Sequence, residues 1–226
     1  SLVRSHEIVV PRTARYVTLG PEASAADETW LVCHGYGQLA SRFIRRFSVI
    51  DNGRRLIVAP EALSRFYLTG GTGPHSDGDK VGASWMTRER RDAEISDQVT
   101  YLDRVLESAL GRAVDGTRCV GFGFSQGAAV ICRWAARTAE PPAHLVLWGS
   151  GVPADLFAGE GKAGLARATL TLVVGQSDPI ANVERVGVHR DELDAAGLAY
   201  RFVSYDGGHE IDGDTLAKLA VSLGSL

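Results

Sequence analysis

Short apolar runs and longer amphipathic stretches alternate along the chain. The short runs, rich in β-branched and aromatic residues, fall at residues 16–19, 30–33, 56–59, 119–124, 145–148, 170–174 and 200–205. Most are almost continuously apolar, the pattern of strands buried on both faces. The stretches between them carry helical spacing. Phe43, Ile44, Phe47 and Ile50 mark one face behind a Ser41 cap. Ile95, Val99, Leu102, Leu106 and Leu110 mark a long helix with Thr87 as the expected cap. Further helices are expected over residues 128–139, over 182–196 with Gly197 as the stop, and around Leu216, Leu219 and Leu223.

Strands that alternate with helices predict an α/β fold with a mostly parallel sheet covered on both faces. Residues 8–10 and 16–19 are too close for a crossover helix, so an N-terminal antiparallel hairpin is expected there. No linker or repeat interrupts the pattern, and a single domain over residues 1–226 is the simpler reading. Residues 69–82 hold five glycines and read as a loop within a loop or lid segment at about 64–85.

Composition narrows the classes. Hydrophobic residues make up 45% and charged residues 23%, which excludes disorder. A net charge of −3 gives no electrostatic grip on nucleic acid. No apolar run reaches the roughly 18–20 residues of a membrane span, so stable membrane insertion is not expected. Residues 1–15 lack the apolar core of a signal peptide. Cys33, Cys119 and Cys132 lie in apolar runs without C-x-x-C spacing. They read as reduced core residues of a cytoplasmic protein, with no structural zinc site.

The chemistry concentrates in Gly123-Phe124-Ser125-Gln126-Gly127, a G-x-S-x-G between a strand-like run and a helical one. A serine at a sharp strand-to-helix turn projects from the end of the sheet, and the flanking glycines remove side chains that would clash. The plainer alternative is a βα turn with Ser125 capping the helix. A serine hydroxyl needs a base. Asp178 follows the run at 170–174, and His209 follows the run at 200–205, in the order Ser, acid, His. Alone, Asp178 would read as a helix cap and His209 as a satisfied histidine; together, at strand ends, they read as a triad with Ser125. His75, in the glycine-rich loop, is expected to face solvent. Two N–H donors are needed for the oxyanion: the Gln126 amide after the nucleophile, and the Tyr36 amide in the loop His34-Gly35-Tyr36-Gly37-Gln38. Trp85 offers apolar surface to a substrate pocket or packs beneath the following helix.

These residues resemble the phospholipase/carboxylesterase family of α/β-hydrolases, which includes acyl-protein thioesterases and small bacterial carboxylesterases. The resemblance rests on His34 to Gly37, Gly123 to Gly127, Ser177-Asp178-Pro179, Gly208 to Ile211 and Trp85 with its following helix. It spans about residues 30–211 and implies the α/β-hydrolase fold. It also implies Ser125, Asp178 and His209 as the triad and Tyr36 and Gln126 as the oxyanion hole. The chain departs from the family at Tyr36, where leucine is common, at Gln38, where aspartate is common, and over residues 64–85. The expected activity is serine carboxylesterase action on small carboxylic esters, with no metal or cofactor. Lysophospholipase or acyl-protein thioesterase action is the alternative. A non-catalytic receptor of the same fold would be expected to lack a triad residue, and none is lost.

Overall fold

The computed structural model describes residues 2–69 and 73–224. All seven apolar runs form strands. In chain order they are β1 (Tyr16–Leu19), β2 (Glu28–Cys33), β3 (Arg55–Pro60), β6 (Cys119–Phe124), β7 (His144–Trp148), β8 (Thr169–Gly175) and β9 (Tyr200–Tyr205), with β4 (Ser64–Tyr67) and β5 (Val81–Ser84) forming a separate pair. The seven-stranded sheet has the order β1-β3-β2-β6-β7-β8-β9, and every pairing except β1 with β3 is parallel.

Alternation along the strands divides the core into two layers. Trp30, Val32, Phe122 and Trp148 face one side, with Phe43, Phe47, Leu216 and Leu219. The latter come from α1 (Ala40–Phe43), the 3-10 turns that follow it, and α6 (Gly213–Leu223). Leu31, Cys33, Leu145 and Leu172 face the other side. They are covered from α2 (Arg91–Leu110), α3 (Gln126–Arg137), α4 (Gly159–Leu165) and α5 (Val183–Ala196) by Leu102, Leu106, Ile131, Trp134, Leu165 and Leu193. The three cysteines are buried and free. Burial pushes their thiols up, to about 12 for Cys119.

Four expectations change. Ser41 caps no helix: α1 starts at Ala40 behind Leu39, with no side-chain cap, so Ser41 lies inside it. There is no N-terminal hairpin: residues 8–10 form no strand, and Ile8 and Val9 are 86% and 95% exposed. β1 is antiparallel as expected, but its partner is β3. Adding to a buried sheet stabilises a strand more than pairing with a three-residue segment next to Pro11. An antiparallel hairpin does exist, between β4 and β5, inside the segment read as a loop. Its glycines masked it, because β4 is mostly exposed and carries no buried run. Gly70 and Gly71 lie outside the described residues. Finally, α2 starts at Arg91, and Thr87 instead accepts the Glu89 N–H in a turn ahead of the helix.

Candidate active site

Ser125 sits at the turn from β6 into α3 with φ 52° and ψ −116°, a positive φ that non-glycine residues seldom adopt. The turn is closed by the Ser125 N–H, which donates to the Trp148 carbonyl at 2.9 Å. Both glycines of the motif are required by close approach. A Cβ on Gly123 would lie 2.4 Å from the Gly127 carbonyl oxygen, and one on Gly127 would lie 2.2 Å from that of Cys33. The serine therefore stands beside the end of β2, where the His34–Gln38 loop begins.

Asp178 and His209 meet across the ends of β8 and β9. His209 Nδ1 is 2.7 Å from Asp178 Oδ2, with the Asp178 side chain fully buried and that of His209 16% exposed. Asp178 Oδ1 accepts the N–H groups of Ile180 and Ala181, each at 2.8 Å. Both carboxylate oxygens are thus acceptors, which fits Nδ1–H donating and leaves Nε2 as the proton acceptor. The two loops hold each other: the Gln176 N–H donates to the Tyr205 carbonyl and the Ser177 N–H to the Gly207 carbonyl, both at 2.9 Å. Below them the Tyr205 hydroxyl donates to Gly208 O at 2.8 Å, and the Trp148 indole N–H donates to Glu210 O at 2.7 Å, on either side of His209. Phe124 lies against the imidazole at 4.9 Å between ring centroids. Ser125 Oγ makes no hydrogen bond to His209 among the described residues; such contacts commonly tighten as substrate binds.

The opposite wall is built from side chains. The Tyr36 N–H donates to no protein acceptor among the described residues. The Gln126 N–H, at the first position of α3, is one of the amides a helix leaves unpaired. Both are free to donate to an oxyanion. The Gln126 side chain spans to the segment after β5. Its Oε1 accepts the Trp85 N–H at 2.9 Å, and its Nε2 donates to Met86 O at 3.0 Å. His34 is fully buried; its Nδ1 donates to Gly35 O at 2.7 Å, and its Nε2 accepts the Ala62 N–H at 3.1 Å. Burial lowers its pKa, which agrees with a neutral ring holding the loop. The loop is also tied to β5: the Gly37 N–H donates to Ala83 O at 2.8 Å, and the Ala83 N–H donates to Gln38 O at 3.1 Å. Arg65 on β4 pairs with Glu61 at 2.6 Å.

Trp85 is 3% exposed and lines none of the cavities described. Its indole N–H donates to His34 O at 2.8 Å, and its ring lies 5.1 Å from the His34 ring. This placement corrects the expectation of a pocket wall: Trp85 packs in the core beneath the His34–Gln38 loop. The Tyr36 ring is exposed and lies against Phe66. His75 is bound to Asp79 and stacks on Tyr67.

Sequence reasoning missed Gly149, which has φ 66° and leads from β7 past the acid–base pair. A Cβ there would lie 2.9 Å from His209 Cε1. Nothing in the local pattern signals this, because the neighbour is 60 positions downstream by number. A cavity of about 290 Å³ opens beside His209, lined by Gly37, Gln38, Leu39, Phe43 and Phe124 among others. Among the described residues no group of three or more His, Cys, Asp or Glu side chains forms a metal-binding cluster. No helix among them is long and apolar enough to cross a membrane.

A family model described as phospholipase/carboxylesterase matches residues 17–225. No curated relative matches the sequence. Among solved structures, esterase PE8 is similar at a TM-score of 0.67 with 21% identity, covering 95% of this chain and 99% of that one. A phospholipase/carboxylesterase from Dyadobacter fermentans gives 0.64 with 18% identity, covering 95% and 98%. Acyl-protein thioesterase 2 from Zea mays gives 0.66 with 18% identity, covering 94% and 99%. At these identities the likeness carries the fold.

Proposed function

Starting from the fact that this chain belongs to the phospholipase/carboxylesterase family, we propose that it is a serine carboxylesterase acting on small, short- to medium-chain carboxylic esters. Family membership supports esterase-type hydrolysis of a small-molecule substrate. The observation that carries the finer reading is the Asp178–His209 pair at 2.7 Å beside a serine held at positive φ.

Ser125 Oγ attacks the ester carbonyl while His209 Nε2 takes its proton. Asp178 orients the imidazole and stabilises its cation. The Tyr36 and Gln126 amides hold the tetrahedral oxyanion. His209 returns the proton to the leaving alcohol, which departs and leaves the acyl group on Ser125. Water, deprotonated by His209, then releases the acid and restores the serine. No step calls on a metal or cofactor. The β4–β5 hairpin, within the segment read above as a loop or lid, acts as a rim of the site through Val81 of β5, within one domain. The cavity of about 290 Å³ beside His209 supports an ester with a small alcohol portion. The buried, free cysteines support a reducing, cytoplasmic setting.

A fluorophosphonate probe tests this reading. It is expected to label the protein once, and peptide mapping is expected to place the label on Ser125. A profile over p-nitrophenyl esters of rising acyl length is expected to peak at short chains. Labelling elsewhere with esterase activity retained would overturn the nucleophile assignment, and a peak at long chains would favour the lysophospholipase or thioesterase alternative.

A further inference from the structure

The cavity beside His209 carries a charge pattern that ester hydrolysis alone does not require. Arg42 and Arg46, one helical turn apart, both line it. Neither guanidinium has an ion-pair or hydrogen-bond partner among the described residues. The guanidinium groups of Arg45, Arg88 and Arg104 likewise have no such partner among the described residues, but only Arg42 and Arg46 line this cavity, whereas Arg15, Arg55, Arg65 and Arg133 are each paired with a carboxylate. The one acidic residue on the cavity wall is Glu210, so the lining keeps a net formal charge of +1. The rest of the wall includes apolar Leu39, Phe43, Val81, Phe124 and Ile211.

We propose that Arg42 and Arg46 form a subsite for an oxyanionic group, carboxylate or phosphate, on the alcohol portion of the ester. The inference rests on the esterase reading above. His209 must reach the leaving oxygen in order to protonate it, so the cavity that His209 and the next two residues line receives the alcohol. The apolar wall accepts its carbon skeleton. A guanidinium presents a planar fork of donors that matches carboxylate and phosphate oxygens, and two without partners present that fork without first breaking a bond. The natural substrate class is then an ester of an acidic alcohol, such as a hydroxy acid or a phosphorylated alcohol.

The test compares three aryl acetates that differ only in the leaving group: 4-acetoxybenzoate, 4-acetoxyphenyl phosphate and the neutral methyl 4-acetoxybenzoate. The readout is the ratio of kcat/KM for each anionic ester to that for the neutral one. This ratio is compared between the parent enzyme and an Arg42→Met/Arg46→Met variant, so intrinsic leaving-group differences cancel. The ratio is expected to fall about tenfold in the double variant, the size of a charge-assisted hydrogen bond. It should hold in Arg45→Met, whose side chain does not line the cavity. A drop confined to the carboxylate ester or to the phosphate ester identifies which group the subsite prefers. Equal ratios in parent and double variant would overturn the proposal. So would a drop seen instead with 4-nitrophenyl hemisuccinate relative to 4-nitrophenyl butyrate, where the charge is on the acyl side. Failure of the esterase reading is separate: it would appear as neutral-ester turnover that survives Ser125→Ala.

Discussion

On one side of Ser125, the Tyr36 and Gln126 amides proposed to hold the oxyanion are supported by side chains that meet from distant parts of the chain. Gln126 reaches the segment after β5, Trp85 reaches the His34 carbonyl, and the His34 ring reaches the Ala62 amide. On the other side, the acid and base are held mainly by backbone. The loops after β8 and β9 exchange main-chain hydrogen bonds, and two amides fix the free oxygen of Asp178. The first wall is thus buried and linked to the core, so damage there should cost stability. The second rests on main-chain hydrogen bonds between two loops and on close packing around the imidazole, so a small steric change there should cost rate while the fold survives.

The largest expected effect ignores the distinction, because both walls flank the proposed nucleophile. Ser125→Ala should lower kcat for p-nitrophenyl acetate by about 10⁴–10⁶-fold with little change in melting temperature. Near-parent turnover would break the assignment of both walls at once. Next in size is Trp85→Ala, which empties a buried site in the first wall. It should destabilise the fold by about 3–5 kcal/mol in urea unfolding. The kcat/KM ratio between short and long acyl esters should stay unchanged in the folded fraction. A shifted ratio with intact stability would return Trp85 to the pocket wall.

Gly149→Ala probes the second wall. Its methyl would meet the His209 ring, so kcat/KM should fall by about 10–100-fold. The backbone at positive φ adds about 1–2 kcal/mol of destabilisation. A loss of stability with normal kinetics in the folded fraction would erase the contrast between the walls. The smallest effect is a pH dependence of stability from His34. Its folded pKa lies below the ordinary 6.5 because the ring is buried. The unfolded chain therefore takes up the proton first. The stability that neutral His34 confers is full above pH 6.5 and declines as pH falls toward the folded value. The slope is at most about 1.4 kcal/mol per pH unit. Urea unfolding between pH 7.5 and 5 should show a shallower slope in His34→Gln. His144, also lowered by burial, would keep its own share.

The sequence carried much of this arrangement, for physical reasons that differ by residue. Buried parallel strands must be apolar along their length, so the inner strands β2, β3, β6, β7 and β8 stood out, while the edge strands β1 and β9 were marked by aromatic and β-branched residues on a partly buried face. The motif around Ser125 was readable because a tight turn demands glycine at fixed offsets, and Asp178 and His209 because each follows a strand. What stayed hidden depends on partners far along the chain. β4 and β5 are short, and β4 lies mostly exposed, so pairing across a glycine-rich connection leaves no apolar signature. β1 chose β3 over its sequence neighbour because an existing sheet edge competes better than an isolated hairpin. Trp85 could be read as wall or core, since an aromatic residue serves both and only its fixed contact with His34 decides. Gly149 needed the position of His209, which no local window contains.

The double duty of Gln126 limits what evolution or engineering can place there. The first turn of a helix ordinarily welcomes glutamate, whose charge suits the positive end of the helix dipole. At this position a carboxylate would keep the acceptor for the Trp85 N–H but set a second acceptor against the Met86 carbonyl. A primary amide carries one acceptor and a pair of donors on one planar group, and the two backbone partners call for that combination. Asparagine has the same amide on a shorter stem. The residue after Ser125 is therefore constrained by its side chain more tightly than by its backbone N–H, which any residue but proline would supply.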